Sequence, residues 1–413
     1  MHVAGRMLFA FVIALVSLSA MSLQRDDDAN DTEIRIGNLM SYTGPLAEFS
    51  AIGKAEAAYF DMINDRGGIN ARKVRFISYD DNSDSYDDNS DPTVALDLTR
   101  GLVERDNVLL MFGSFGTAGN LAVRSFLNER KIPQLFVASG AEELGDPKAF
   151  PWTMGWQPSF RAEGRIYANC IQAFYPQRNI VALWQNDQFG RDLFKGIQEG
   201  LGNLTRLIIV DVAFDMLDEF IDGHVSILKR SGADIFVFAG VSATASHVIR
   251  LAAETHWHPV FLLNDAAASI GTALNPAGIE NSAGAISATF LKDPSDPAWK
   301  DDPAIKNWLS FMDKYYPSGD KCSSAALYGY AAAETLVQVL KQCGDDLSRE
   351  NVMRQAASLR DYEPSGLLPG IKINTGPENF RPIKQMRLVL FDGRTWQPIG
   401  DVLETAFSDA PHK

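Results

Sequence analysis

Cysteine, histidine and long apolar runs are all scarce in this chain. Three cysteines stand among 413 residues, Cys170, Cys322 and Cys343, too few for a disulfide framework. Cys322 and Cys343 bracket SSAALYGYAAAETLVQVLKQ, which reads as one helix. Eighteen or more helical residues would separate their sulfurs by roughly 27 Å, whereas a bridge tolerates about 7 Å between α-carbons. That pairing is excluded, and free structural thiols are expected. The histidines are His2, His224, His247, His256, His258 and His412, and none falls in H-E-x-x-H or comparable metal spacing. There is no G-x-S-x-G nucleophile turn and no P-loop. Asp187, in WQNDQFGRD, is better read as a helix start than as a catalytic acid. No constellation asks for an enzyme, a metal or a cofactor.

Basic residues are also in deficit, 38 Lys and Arg against 52 Asp and Glu, for a net charge of −14. A nucleic-acid partner needs clustered cations and is not expected. A hydrophobic content of 46% with 22% charged residues suits a globular chain, and the length favours two lobes over one core. One apolar run stands out. His2 and Arg6 precede MLFAFVIALVSLSAM, and polar SLQRDDDAN follows. A basic start, a short apolar segment and small residues near Ser19 and Ala20 predict a cleaved secretory signal over 1–22, hence an exported, periplasmic protein. The competing reading is a single membrane anchor. No cysteine lies near the cleavage region to carry a lipid.

Short apolar runs alternate with helical patterns from residue 33 onward. EIRIGNLM, VRFISYD, NVLLMFG and PQLFVA read as strands with helices between them. The rhythm restarts after Trp156 with IVALWQ, LIIVDVAF, ADIFVFAG and PVFLLND. Such alternation predicts an α/β fold of two doubly wound lobes. GAISATF (284–290) reads as a crossing strand, and three helices then follow, near 303–316, 325–342 and 348–360. They are expected to return to the first lobe. MRLVLFDGRTWQPIG carries a hairpin signal at Asp392-Gly393. Three crossover segments are implied, near 153–157, 284–290 and 370–375. Lobe 1 is then 33–154 with 288–371, lobe 2 is 155–287 with 372–405, and 406–413 is a tail. A tandem duplication, YDDNSD at 79–84 and again at 86–91, suggests an acidic loop. Asp80, Asn82 and Asp84 have the spacing of a calcium loop, but Ser85 stands where such a loop needs glycine.

The rim of the first lobe holds the chemistry. In MFGSFGTAGNLAV the glycines fall as G-x-x-G-x-x-G after the third strand, unlike a dinucleotide turn. Thr117, Ala118 and Gly119 open a helix there, where unpaired N–H groups can hold a carboxylate. Ala138, Ser139 and Gly140 follow the neighbouring strand, so Thr117 and Ser139 come to one rim. The plainer readings are a threonine helix cap and a Ser-Gly turn.

The chain resembles the leucine/isoleucine/valine-binding family of periplasmic solute-binding proteins that serve ABC importers. The likeness rests on IRIGNLMSYTGPLAEFSAIGKAEAAYFDMINDRGGI, FGSFGTAGNLAV, VASGAEEL, WQNDQFGRDLFKGI and YGYAAAETLVQVL. It implies a monomer of the type I periplasmic-binding-protein fold that closes on a small carboxylate and presents it to membrane permease subunits. By the same likeness, Gly116, Thr117 and Ala118 hold the carboxylate. Ala138, Ser139 and Gly140 share that work and help hold an amino group. Phe49 covers the ligand from the first lobe. Phe189, Gly240 and Val241 line it from the second, and Tyr328 lines the side-chain pocket. Amino-acid binders of this family place an acidic residue after the strand matching PVFLL. An ungapped match puts Ala266 there, with Asp265 one position earlier. An inward Asp265 implies an ammonium-bearing ligand such as a branched-chain amino acid. An outward one implies an aromatic or other non-amino carboxylate. A ligand-sensing regulator and a nucleotide-type oxidoreductase are the rival functions.

Overall fold

A computed structural model describes residues 32–81 and 92–404. The expected signal, the tail and most of the duplicated acidic loop lie outside the described residues. The first sheet is five-stranded and parallel. Its strands are β1 (Glu33–Met40), β2 (Lys73–Asp80), β3 (Leu110–Phe112), β4 (Gln134–Val137) and β5 (Thr153–Gly155), in the order β2-β1-β3-β4-β5. The helices α1 (Ser50–Asp65), α2 (Pro92–Arg100) and α3 (Ala118–Glu129) connect them. β3 and β4 are buried at every position, as parallel strands covered on both faces must be.

The second sheet has seven strands. They are β6 (Ile180–Gln185), β7 (Ile208–Phe214), β8 (Ile235–Ala239), β9 (Val260–Leu263), β10 (Ile286–Thr289), β11 (Gln385–Phe391) and β12 (Trp396–Glu404), in the order β12-β11-β10-β9-β8-β6-β7. β6 to β10 run parallel, and β11 and β12 add an antiparallel hairpin. The Asp392-Gly393 signal does mark that hairpin, but the loop spans 392–395. The Asp392 carboxylate accepts from the amides of Arg394 and Thr395, 2.9 Å each. Around this sheet lie α4 (Phe160–Phe174), α5 (Gln188–Leu201), α6 (Ile221–Arg230) and α7 (Ser242–Glu254).

Three helices follow β10: α8 (Pro303–Tyr315), α9 (Ser324–Cys343) and α10 (Arg349–Ala356). They pack on the first lobe. α9 lies so close to α1 that a Cβ on Gly329 would stand 2.3 Å from Ile52 O. Asn70 Nδ2 donates to Leu340 O across 270 residues of sequence. Phe311 and Tyr330 pack around Tyr59, with Trp308 beside them. Cys322 precedes α9, Cys343 ends it, and both are free.

The crossover segments meet at Trp156. Its carbonyl accepts from Ile383 N at 3.3 Å, and Phe290 O accepts from Leu368 N at 2.9 Å. The Trp156 indole donates to Thr335 Oγ1 of α9 and stands edge-on to Tyr328, ring centres 4.7 Å apart. The third crossing lies at about Ile383, not at the expected 370–375. Thr375 is still tied to the end of α10, its hydroxyl donating to Ala356 O at 2.7 Å. The chain then turns at Gly376 and Asn379 before reaching Trp156. This segment makes isolated bridges instead of a strand, so its sequence carries no periodic signal.

One buried acid is not part of the cleft. Glu56 of α1 is inaccessible to solvent, and its Oε1 has no hydrogen-bond partner. Burial raises its carboxyl well above the usual range. A neutral folded Glu56 and an ionised unfolded one favour unfolding as pH rises, until the folded group also ionises. Glu56→Gln should therefore match the natural chain at pH 4 and exceed it at pH 8, by about 1–2 °C in Tm per kcal/mol recovered for a chain of this length. Thermal unfolding at the two pH values checks this.

Candidate functional site

A cavity of about 390 Å³ opens between the lobes at the carboxyl ends of the parallel strands, where ligands of open α/β sheets gather. On the first-lobe side, Phe115 pairs with Ala138 as a short parallel bridge, and Gly116 N donates to Ala138 O at 3.2 Å. This brings the two turns side by side. Thr117 Oγ1 and Ser139 Oγ are 2.7 Å apart. The Thr117 side chain makes no cap bond to α3, so the simple capping reading does not describe it. The helix ladder begins with Leu121 N donating to Thr117 O. The amides of Ala118, Gly119 and Asn120 therefore precede the first closed turn, at the positive end of the helix dipole.

Gly116 adopts φ +93°, with nothing within 4 Å of where a Cβ would stand. Backbone conformation, not space, demands glycine there. Gly116, Thr117, Ala138 and Ser139 all line the cavity. Ala118 and Gly140 do not. Ala118 is the first residue of α3. Gly140 is packed at the base of the second lobe, where a Cβ would meet Pro158 O at 2.6 Å and its carbonyl accepts from Phe160 N. Both were expected to hold the ligand, but a turn presents only some of its residues to the cleft, and these two lie outside the cavity lining.

Aromatic side chains supply the apolar walls in two pairs. Phe49 stacks on Phe115 from the first lobe at 4.6 Å. Phe189, at the start of α5, meets Phe160, at the start of α4, edge-on at 4.8 Å. All four line the cavity. Asp187 caps α5 by accepting from Gly190 N at 2.8 Å, in keeping with its reading as a helix start. Tyr328 forms part of the wall and donates to Gln157 Oε1 at 3.0 Å.

The second-lobe rim is built from the ends of β8 and β9. Gly240 and Val241 line the cavity, and Gly240 N donates to Asn264 Oδ1 at 2.9 Å. Asp265 and Ala266 line it too. Burial pushes the Asp265 carboxyl up to about 7, against the pull of the Thr289 hydroxyl and with nearby Asp293 adding to the rise. The cleft thus joins amide and hydroxyl donors on one wall to a carboxyl on the other, with aromatic surface between them. Among the described residues, no group of His, Cys, Asp and Glu could hold a metal ion.

Sequence reasoning missed Phe115, Phe160, Gln157 and Asn264. Phe115 and Asn264 lie directly beyond strand ends that were already located. Phe160 and Gln157 flank the first crossover, whose position was also known. Position at the rim was the available signal, since none of these residues belongs to a chemical motif.

Two α/β lobes, three crossing segments and a cavity lined from both sides define a two-lobed binding protein. Residues 33–395 match the model of the periplasmic binding protein family, and the chain belongs to that family. It is 21% identical over 345 residues to an amino acid binding protein of Pseudomonas aeruginosa, covering 81% of this chain and 84% of that one. Among solved structures, it is similar to a branched chain amino acid ABC transporter protein of Thermus thermophilus with bound valine. That match has a TM-score of 0.79 and 16% identity, and covers 91% of this chain and 97% of the other. A fatty acid ABC transporter substrate-binding protein of Thermomonospora curvata aligns with a TM-score of 0.71 and 19% identity, covering 91% and 94%. The fold is the type I periplasmic-binding-protein fold, and the family is one of binding proteins, not of enzymes.

Replacing both Thr117 and Ser139 by alanine should weaken carboxylate binding by about 10–100-fold, from lost hydrogen bonds to a charged group. The empty protein should lose only a few degrees of Tm. Calorimetric titration with a thermal scan of the same variant checks both.

Proposed function

We propose that this protein is the extracytoplasmic substrate-binding component of an ABC importer and that it captures an apolar amino acid. The observation that carries this reading is the pairing of the Thr117–Ser139 donor wall with an inward Asp265 in one cavity. A zwitterion meets both: its carboxylate at the helix start, its ammonium at Asp265. A buried cation needs such a partner. The aromatic pairs accept an apolar side chain. Capture works by hinge closure. The ligand touches both lobes only when they are shut, so it binds that state better and shifts the population towards it. The closed monomer is then presented to membrane permease subunits. The apolar segment near the N-terminus supports export to the periplasm.

The second reading is a non-amino carboxylate in the same role. The predominantly aromatic walls favour it, and Asp265 would then stay protonated. The two readings differ in their proton balance. An ammonium ligand requires ionised Asp265, so binding near pH 7 should release up to one proton. Affinity should decline as pH falls through 7, approaching about tenfold per pH unit. Asp265→Asn should cost an amino acid about 10-fold or more and leave its deamino analogue little changed. Calorimetry with leucine and isocaproate in buffers of different ionisation enthalpy measures all of this. Uptake of isocaproate in preference to leucine, without proton release, would replace the first reading by the second.

A further inference from the structure

Asp265 owes its position to a residue that does not line the cavity. Glu163 stands on the first turn of α4, after the Ser159 cap, and is almost wholly buried. Its Oε1 accepts the amide hydrogen of Asp265 at 2.7 Å. One turn further along α4, the fully buried Tyr167 hydroxyl lies 2.8 Å from the same Oε1 and 2.7 Å from Leu263 O. The Tyr167 oxygen also accepts from Ala288 N at 3.1 Å. This cluster holds the chain on both sides of Asn264. It joins the end of β9 to β10 and to α4.

The hydrogen count is decisive. A tyrosine has one hydroxyl hydrogen, and a carbonyl oxygen has none. The short contacts Glu163 Oε1 to Tyr167 Oη and Tyr167 Oη to Leu263 O need two hydrogens between them. The amide hydrogens of Asp265 and Ala288 are already engaged. An ionised Glu163 would leave one contact as two facing lone pairs in a buried site, which is costly. The missing hydrogen belongs on Glu163. Among the described residues, no basic side chain pairs with this carboxyl; the titratable groups facing it are Tyr167 on its own helix and Asp265 on the opposing loop. Burial, with the Asp265 charge adding to it, pushes the Glu163 carboxyl up to about 8, in the same direction.

We propose that Glu163 is the positioning residue for Asp265 and that it works as a neutral carboxylic acid. Its Oε1–H donates to Tyr167, Tyr167 donates to Leu263 O, and the Asp265 amide donates to Glu163. The chain fixes the loop that carries the cleft's anion without placing a second charge beside it. The inference rests on the reading of Asp265 as the partner of a ligand ammonium.

Infrared difference spectroscopy of the empty protein at pH 7, natural chain minus Glu163→Gln, should show the carbonyl band of a protonated carboxylic acid. Glu163→Ala should weaken leucine by about tenfold or more, while isocaproate, which lacks the amino group, changes by less than about threefold. Glu163→Gln keeps an oxygen that can accept from Asp265 N but carries no hydrogen on it for Tyr167, so it should lose leucine selectively, and by less than Glu163→Ala does. Where Glu163→Ala does not fold, Tyr167→Phe serves in its place and should show the same selective loss of leucine. Absence of the band, or an equal loss of both ligands, overturns the proposal. If the natural chain binds isocaproate but not leucine, the ligand reading fails and the positioning role falls with it, while the band still decides the proton.

Discussion

The junction at Trp156 is the constraint on which the rest of the structure depends. Its carbonyl ties the first crossover to the third through Ile383, and its indole ties both to α9 through Thr335. The rings of Phe290 and Tyr328 meet it in edge-to-face contacts and bring in the second crossover and the cavity wall. Two lobes joined by one strand could rotate about many axes. Three crossings pinned at a common aromatic point restrict that freedom and hold the first-lobe donors opposite the second-lobe carboxyl. The accuracy of the cleft is therefore set outside it, by packing that is itself apolar.

Desolvation shapes the charges on both sides of this hinge. Glu56 in the first lobe and Glu163 and Asp265 in the second are all pushed upward by burial. Their surroundings give them different roles. Glu56 keeps an unpartnered oxygen and is a liability for stability. Glu163 is held by an amide and a phenol. Asp265 faces the cavity, where a cation can replace the water it lost. A single physical effect, the cost of a charge away from water, thus acts on an unpartnered acid, an acid held within the fold and an acid that lines the cleft.

Much of this was legible in the sequence. The alternation of apolar runs with helices gave the α/β lobes, because parallel strands covered on both faces must be apolar throughout. The strand ends gave Thr117 and Ser139 a common rim, and the helix between Cys322 and Cys343 ruled out their pairing. Three things were not legible. The orientation of Asp265 depends on Glu163, a residue 102 positions earlier, and no local pattern encodes that distance. Phe115 and Phe160 act through their partners Phe49 and Phe189, so each looks ordinary alone. The third crossover is a run of isolated bridges, to which periodicity is blind.

The union of α1 with α9 has a consequence for how the molecule comes into being. The parallel core from β6 to β10 is contiguous in the chain and can assemble while later residues are still being delivered. The apolar face of α1 has no such companion, since the segment that covers it follows some 270 residues later, as the Asn70–Leu340 bond shows. Long-range closure of this kind slows folding. A chain of this design is made with the α9-facing side of α1 uncovered until most of its length has been synthesised, so this contact is among the last that the fold can complete.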